Sequence, residues 1–74
     1  MAMPRLSLHA QQQMERREIT EEDVRLALNR RSGEPTVGTN GKLKVFGYAR
    51  RGRILKLVLT PDQEEIITLA WPDE

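Results

Sequence analysis

Residues 43–60 are LKVFGYARRGRILKLVLT, and this stretch predicts a β-hairpin. Its two halves are rich in aliphatic, β-branched and aromatic residues, which favour strands, and Arg50-Arg51-Gly52 separates them. Three residues ending in glycine suit a loop made of a type I turn followed by a glycine in the left-handed conformation. A loop of this length pairs Ala49 with Arg53 and so fixes the register of the whole hairpin.

The register sorts the hairpin side chains onto two faces of the sheet. The core face, which we expect to meet the helices, consists of Leu43, Val45, Leu55, Leu57 and Leu59. The open face consists of Lys44, Phe46, Tyr48, Ile54, Lys56 and Val58. A two-residue loop would move Lys56 into the core, so packing favours the three-residue loop. On a third strand, the side chains expected on the core face are Ile67, Leu69 and Trp71.

Two helices are predicted before the hairpin. Ser7 is a good N-cap for a first helix at about 8–17, in which Ala10 and Met14 share one side at i, i+4. Thr20 caps a second helix at about 21–30, and Asp23 stands where a capping box requires an acid.

The chain is therefore expected to fold as one α+β domain over residues 1–74. Its two N-terminal helices should pack on a three-stranded antiparallel sheet. The strands are predicted at about 43–49, 53–60 and 65–71, and the segment 34–41 is predicted to be a loop.

Length and composition narrow the classes of function. A chain of 74 residues has room for one core only. It contains no cysteine and a single histidine, so neither a disulfide framework nor a metal cluster is expected, and no cofactor is implied. The N-terminal residues lack the apolar run of a signal peptide, and no stretch approaches the roughly 20 apolar residues of a membrane span. We expect a cytoplasmic protein that does not contact a membrane.

Charge is distributed unevenly along the chain. The net charge of +1 does not by itself indicate a nucleic-acid partner, but residues 35–61 contain no acid. The cations in that range are Lys42, Lys44, Arg50, Arg51, Arg53 and Lys56. Such a hairpin can simply be a solvated edge that resists edge-to-edge association. Aromatic rings flanked by lysines are also the chemistry of single-stranded RNA recognition, and they can equally cover exposed sheet or form a dimer contact.

The first helix carries a second set of polar residues. His9, Gln13 and Arg17 follow one another at i, i+4 and i+8, hence on one stripe. Imidazole transfers protons near neutral pH, and guanidinium binds phosphate through two donors. Taken singly, each of these residues is more typical of an ordinary solvated helix surface.

The pattern His9-Ala10-x-x-x-Met14-x-x-Arg17-x-Ile19-Thr20 resembles the bacterial domain-of-unknown-function family 4258. That family usually opens with H-A-x-x-R-M-x-E-R-G-I-(S/T). The segments at 44–48, 52–58 and 65–71 are similar to its strands, so the resemblance runs from residue 7 to 71. It implies a relation to the RelE-, barnase- and colicin-like RNases, many of which are toxins of toxin–antitoxin pairs.

The resemblance implies a metal-independent endoribonuclease, or an RNA-binding domain, with RNA and a cognate antitoxin as partners. His9 would act as general acid or base and Arg17 would hold phosphate, both by transfer from the family motif. Face geometry adds Tyr48, which could stack on a base or donate a proton. The remaining substrate-binding candidates are Lys44, Phe46, Arg53 and Lys56. The alternative is a non-catalytic interaction or homodimer module that uses Phe46 and Tyr48 as anchors.

Two positions depart from the family pattern. Gln13 stands where the family has arginine, which removes a fixed charge from the helix stripe. Glu18 stands where the family has glycine, the usual residue for a left-handed helix end. We therefore expect any RNase activity of this chain to be weakened or absent.

Overall fold

Local capping determines where both helices begin. In the computed structural model, which describes residues 3–38 and 40–72, helix α1 spans Leu8–Arg17 and helix α2 spans Glu21–Asn29. The Ser7 hydroxyl accepts a hydrogen bond from the Ala10 amide at 3.0 Å and donates one to the Ile67 carbonyl at 2.8 Å. At α2, the predicted capping box of Thr20 and Asp23 is present, with both hydrogen bonds at 3.1 Å.

Helix α1 ends in a left-handed residue. Glu18 has φ 56°, and the Ile19 amide donates to the Met14 carbonyl at 2.9 Å, as in a Schellman motif. Ile19 and Met14 are both buried, which supplies the hydrophobic contact that accompanies this motif. The position at which the family has glycine therefore does require a positive φ, and glutamate occupies it at a conformational cost.

The sheet has five strands in the order β1-β5-β4-β3-β2. The strands are β1 Arg5–Leu6, β2 Thr36–Val37, β3 Leu43–Tyr48, β4 Ile54–Leu59 and β5 Glu65–Ala70. Strands β2 to β5 pair antiparallel, whereas β1 runs parallel to β5. The prediction of a three-stranded antiparallel sheet is thus wrong in its extent, because two edge strands of two residues each make the sheet mixed. The α+β class and the three longer strands agree with the prediction.

The hairpin register is the predicted one. Gly47 pairs with Leu55 and Val45 with Leu57, and the Ala49 amide donates to the Arg53 carbonyl at 2.7 Å. The loop Arg50–Gly52 has the predicted three residues, and Gly52 has the predicted positive φ of 72°. The type I turn is wrong, because Arg51 also adopts the left-handed conformation, with φ 63°.

A bulge in β5 changes one of the predicted core positions. Leu59 pairs with Ile66 while Val58 pairs with Thr68, so Ile67 has no partner in β4. One extra residue reverses the alternation of side chains along the strand. Ile66 is consequently buried in the core and Ile67 only half-buried, whereas Leu69 and Trp71 are buried as predicted.

Both helices pack on the core face of the sheet. The buried apolar residues form one cluster of Ala10, Met14, Ile19, Val24, Ala27, Val45, Ala49, Leu55, Leu57, Leu59, Ile66, Leu69 and Trp71. Gly47 lies so close to α2 that an added Cβ would overlap the Ala27 backbone. Neither α1, with 10 residues, nor α2, with 9, approaches the length of a membrane-crossing helix, and the described ranges contain no other candidate.

Candidate nucleic-acid interface

The open face lies on the side of the sheet opposite both helices. Three cross-strand pairs form it: Tyr48 with Ile54, Phe46 with Lys56, and Lys44 with Val58. Directly paired side chains stand roughly 5 Å apart at Cβ, so the Lys56 stem lies against the Phe46 ring position. Tyr48 and Ile54 are each 40% exposed, and Phe46 is half-buried.

Two lysines of the open face have no carboxylate partner among the described residues. Neither Lys44 nor Lys56 forms an ion pair with any residue in the ranges 3–38 and 40–72. Lys44 is exposed, and Lys56 is half-buried between the Phe46 and Ala70 positions. The open face therefore combines aromatic rings with lysine ammonium groups that can bind an anion.

Arg50 does not contribute to this basic surface, although it belongs to the same hairpin. Its Nε donates to Asp23 Oδ1 at 2.7 Å and its Nη2 to Oδ2 at 3.2 Å, and its backbone amide also reaches Oδ1 at 3.2 Å. Burial of Asp23 raises its pKa, but the hydrogen bonds from Arg50 and Thr20 outweigh burial, so the pKa is lowered overall. This ion pair fixes the hairpin loop to the start of α2.

Arg53 lies at the end of the hairpin rather than among the open-face lysines. Its guanidinium carbon is 4.0 Å from the centroid of the Trp71 ring, a cation–π contact. The Trp71 indole Nε1 donates to the Arg17 carbonyl at 2.9 Å. Trp71 thus contacts both Arg17 and Arg53. Strand alternation predicts only that this tryptophan lies in the core. Its indole N–H needs a hydrogen-bond partner when the ring is buried, and this requirement is the sequence signal for a polar contact.

The stripe on α1 is exposed on the helix side of the molecule. His9 makes no side-chain hydrogen bond to the described part of the chain. Gln13 Oε1 accepts a hydrogen bond from Arg17 Nε at 2.8 Å, so the residue that replaces the family's arginine holds Arg17 along the helix. The sheet lies between α1 and the open face, and the structure does not bring His9 beside Lys44 or Lys56.

Within residues 3–38 and 40–72, no three of the histidine, aspartate and glutamate side chains come together as a metal ion would require.

Fold and surface define a small α+β domain with two helices on one side of a mixed sheet and an aromatic, cationic face on the other. The model of the family described as Domain of unknown function (DUF4258) matches residues 6–71. The chain belongs to this family. No curated protein and no solved structure matches it.

Proposed function

We propose that the open face binds single-stranded RNA. The proposal rests on one observation: Phe46 and Lys56 are direct cross-strand partners on a face that neither helix covers, with Tyr48 and Lys44 two residues away on the same strand. Each aromatic ring thus has a cation within reach of a phosphate attached to a stacked nucleotide.

The binding chemistry requires unpaired bases. Bases in a duplex stack on each other, whereas a single strand can place them on Phe46 and Tyr48. Lys44 and Lys56 would contact phosphates as point charges, which gives affinity with little sequence preference. An RNA partner fits the cytoplasmic location that the sequence predicts.

The direct experiment is a titration of a short fluorescent RNA at several salt concentrations. Two phosphate contacts to a single strand predict a slope of log K against log salt of about −1.4, and three predict about −2.1. Lys56→Ala should weaken binding for all sequences and reduce the magnitude of the slope by about 0.7. Arg25→Ala, which removes an exposed cation from α2, is the matched control and should leave the slope unchanged. Absence of saturable binding at low salt would end the proposal.

Stacking can be measured separately from charge. Tyr48→Ala should lower the RNA affinity by about 1–3 kcal/mol while leaving the salt slope unchanged, because the substitution removes a ring and no charge. A Tyr48→Phe control keeps the ring and should bind like the unmodified chain. If Tyr48→Ala binds as tightly as Tyr48→Phe, stacking at this position is excluded.

A more specific form of the proposal is that the chain is related to the RelE-, barnase- and colicin-like RNases and acts as a toxin. It is supported by the His9 and Arg17 motif and by two helices preceding antiparallel strands β3–β5. Cleavage would take place at the α1 stripe, because the sheet separates His9 from the open face, and it should need no added metal and be abolished by His9→Ala. In cells, expression without an antitoxin should arrest growth, and Gln13→Arg with Glu18→Gly should strengthen the arrest. Equal growth of all forms would contradict the toxin role.

A second candidate is a protein contact through the same face, favoured by the exposure of Tyr48 and Ile54. A homodimer or a bound partner would then use these side chains as apolar anchors. Sedimentation of the RNA-free protein measures this directly. Dimerisation that Tyr48→Ala abolishes, together with no RNA binding, would favour the protein contact.

A further inference from the structure

We propose that a cleft beside α2 binds a small organic acid, a carboxylate attached to an apolar body. The α2 cleft has a volume of about 550 Å³, and residues of α2, of the segment before β1 and of the β4–β5 turn line it. None of the open-face side chains belongs to its lining, and α2 packs on the other side of the sheet. The α2 cleft is therefore a second site, independent of the proposed RNA binding.

The apolar part of the lining matches the body of such a ligand. It consists of Met3, Pro4 and Leu28, which are all half-buried. Met3 and Leu28 also pack against the core cluster, which holds them in place. A hydrocarbon or aromatic group that enters the cleft leaves water and contacts these side chains. The volume lies within the range of small-ligand sites.

The polar part of the lining matches a carboxylate. None of the described residues that line the cleft is an acid, and two of them, Arg25 and Arg31, are cations. Arg25 forms no ion pair with any residue in the ranges 3–38 and 40–72. Gln63 Oε1 accepts a hydrogen bond from Arg31 Nη2 at 3.2 Å, so the Gln63 Nε2 group remains as a donor. Charge and donors therefore both favour an anion that accepts hydrogen bonds.

Arg31 also offsets the dipole of α2, whose carboxyl end lies at the cleft. That end carries about half of a negative elementary charge, which by itself would repel an anion. Arg31 Nε donates to the Leu28 carbonyl at 3.3 Å, and both hydrogen-bond acceptors of its guanidinium are neutral. With Arg25 the cleft has two full positive charges, so it remains cationic.

The probe is 4-phenylbutyrate at pH 7, which combines a carboxylate with an apolar body. Amide NMR shifts of Asn29, which lines the cleft, and of Gln63 report binding. The shifts should saturate, whereas 4-phenylbutanamide, which lacks the charge, should bind about tenfold more weakly. Butyrate, which lacks the ring, should also bind about tenfold more weakly. Absence of saturation, or equal affinity for the acid and its amide, would overturn the proposal. Inorganic phosphate that binds as tightly as 4-phenylbutyrate would exclude a role of the apolar lining.

Variants of exposed residues test the cleft without disturbing the core. Arg25→Gln should weaken 4-phenylbutyrate binding about tenfold, because it removes a charged donor. Arg16→Gln, at an exposed arginine of α1 outside the lining, is the matched control and should bind like the unmodified chain. Gln63→Glu keeps an acceptor for Arg31 but adds a negative charge, so it should weaken binding at least as much. Unchanged affinity in both Arg25→Gln and Gln63→Glu would overturn the α2 cleft.

Two substitutions separate the α2 cleft from the open face. Arg25→Gln should weaken binding of 4-phenylbutyrate and leave RNA binding unchanged, whereas Lys56→Ala should do the reverse. Weaker 4-phenylbutyrate binding in Lys56→Ala than in Arg25→Gln would place the acid on the open face and overturn the cleft. Saturable, Arg25-dependent binding of the acid without RNA binding would support the cleft and contradict the proposed function. RNA binding without any response to the acid would overturn the cleft alone.

Discussion

The core face and the open face of the β3–β4 hairpin alternate residue by residue, yet they differ in almost every physical property. Val45, Leu55 and Leu57 are at most 2% exposed, whereas Tyr48 and Ile54 on the other face are each 40% exposed. The core face packs against both helices, and the open face presents rings beside lysines. We therefore expect core-face residues of β3 and β4 to determine stability and the alternate, open-face residues to determine binding. Substitutions on each face can test this expectation.

The largest effect on stability is expected at Gly47, which lies on the core-face side of β3. Gly47→Ala would drive a methyl group into the Ala27 backbone, and α2 must move to admit it. We expect the free energy of unfolding to fall by about 3 kcal/mol, measured by urea denaturation. Gly52→Ala is the control: its Cβ meets no atom, and only the left-handed φ opposes it, at about 1 kcal/mol. Equal losses for the two would mean that the close approach is unimportant.

The next largest effect is expected at Asp23, the one buried charged residue of the described core. Asp23→Asn removes the charge that Arg50 binds and weakens the α2 cap, so the free energy of unfolding should fall by about 2 kcal/mol near neutral pH. Asp62→Asn, at an exposed turn carboxylate, is the matched control and should change stability far less. Equivalent losses would exclude a special role for the buried pair.

The same carboxylate predicts how stability depends on pH. Its pKa is lower in the folded protein than the ordinary value of 3.8, so the unfolded chain binds the proton more readily. The contribution of Asp23 is therefore fully present above about pH 5 and is lost as the pH falls through 3.8 and then through the folded pKa. The free energy of unfolding, measured by urea denaturation at pH 7 and at pH 3, should differ less between the two pH values for Asp23→Asn than for the unmodified chain. An identical difference would contradict the pKa assignment.

A smaller effect, of opposite sign, is expected at the end of α1. Glu18→Gly relieves a left-handed φ of 56° and should raise the free energy of unfolding by about 1 kcal/mol. Glu18→Ala keeps the strain and serves as the control. A loss of stability in Glu18→Gly would show that the glutamate side chain makes a compensating contribution.

The smallest effect on stability is expected on the open face. Tyr48→Ala should change the free energy of unfolding by no more than about 0.5 kcal/mol, because Tyr48 is a surface residue that is 40% exposed. Thermal denaturation measures this change, and the RNA titration measures affinity on the same variant. If Tyr48→Ala lost as much unfolding free energy as Gly47→Ala, the open face would also determine stability and the expected difference between the two faces would be wrong.

Local signals explain the parts of the fold that the sequence predicted. The caps at Ser7 and Thr20 act within one helical turn, so the local sequence is sufficient to predict where both helices begin. The three-residue loop and the position of Lys56 together determined the hairpin register. Strands β1 and β2 have two residues each, too few for any periodicity. The β5 bulge lies at Ile67, directly after Ile66, and the alternation of polar and apolar residues cannot distinguish these two isoleucines.

Long-range polar contacts explain the parts of the site that the sequence did not predict. Asp23 and Arg50 are 27 residues apart, and the capping box already accounted for the aspartate. Arg53 was grouped with Lys44 and Lys56 by charge, although alternation along β4 places it with Leu55, and it contacts Trp71. A catalytic site that uses both His9 and the open face would require them to share one cleft, but α1 packs on the core face and the sheet separates the two. The roles of His9, Arg53 and the open-face residues in RNA binding or cleavage stay predictions.

Pairing between β1 and β5 joins residues that are 60 apart in the chain, and Ser7 spans the same separation to Ile67. Closing so long a loop costs more conformational entropy than closing the β3–β4 or β4–β5 turn. Contacts between residues close in sequence cannot offset that cost. We expect the meander of β3, β4 and β5 to form early in folding and the α1 segment to dock late. Substitution of Ser7 should then accelerate unfolding while leaving the folding rate nearly unchanged.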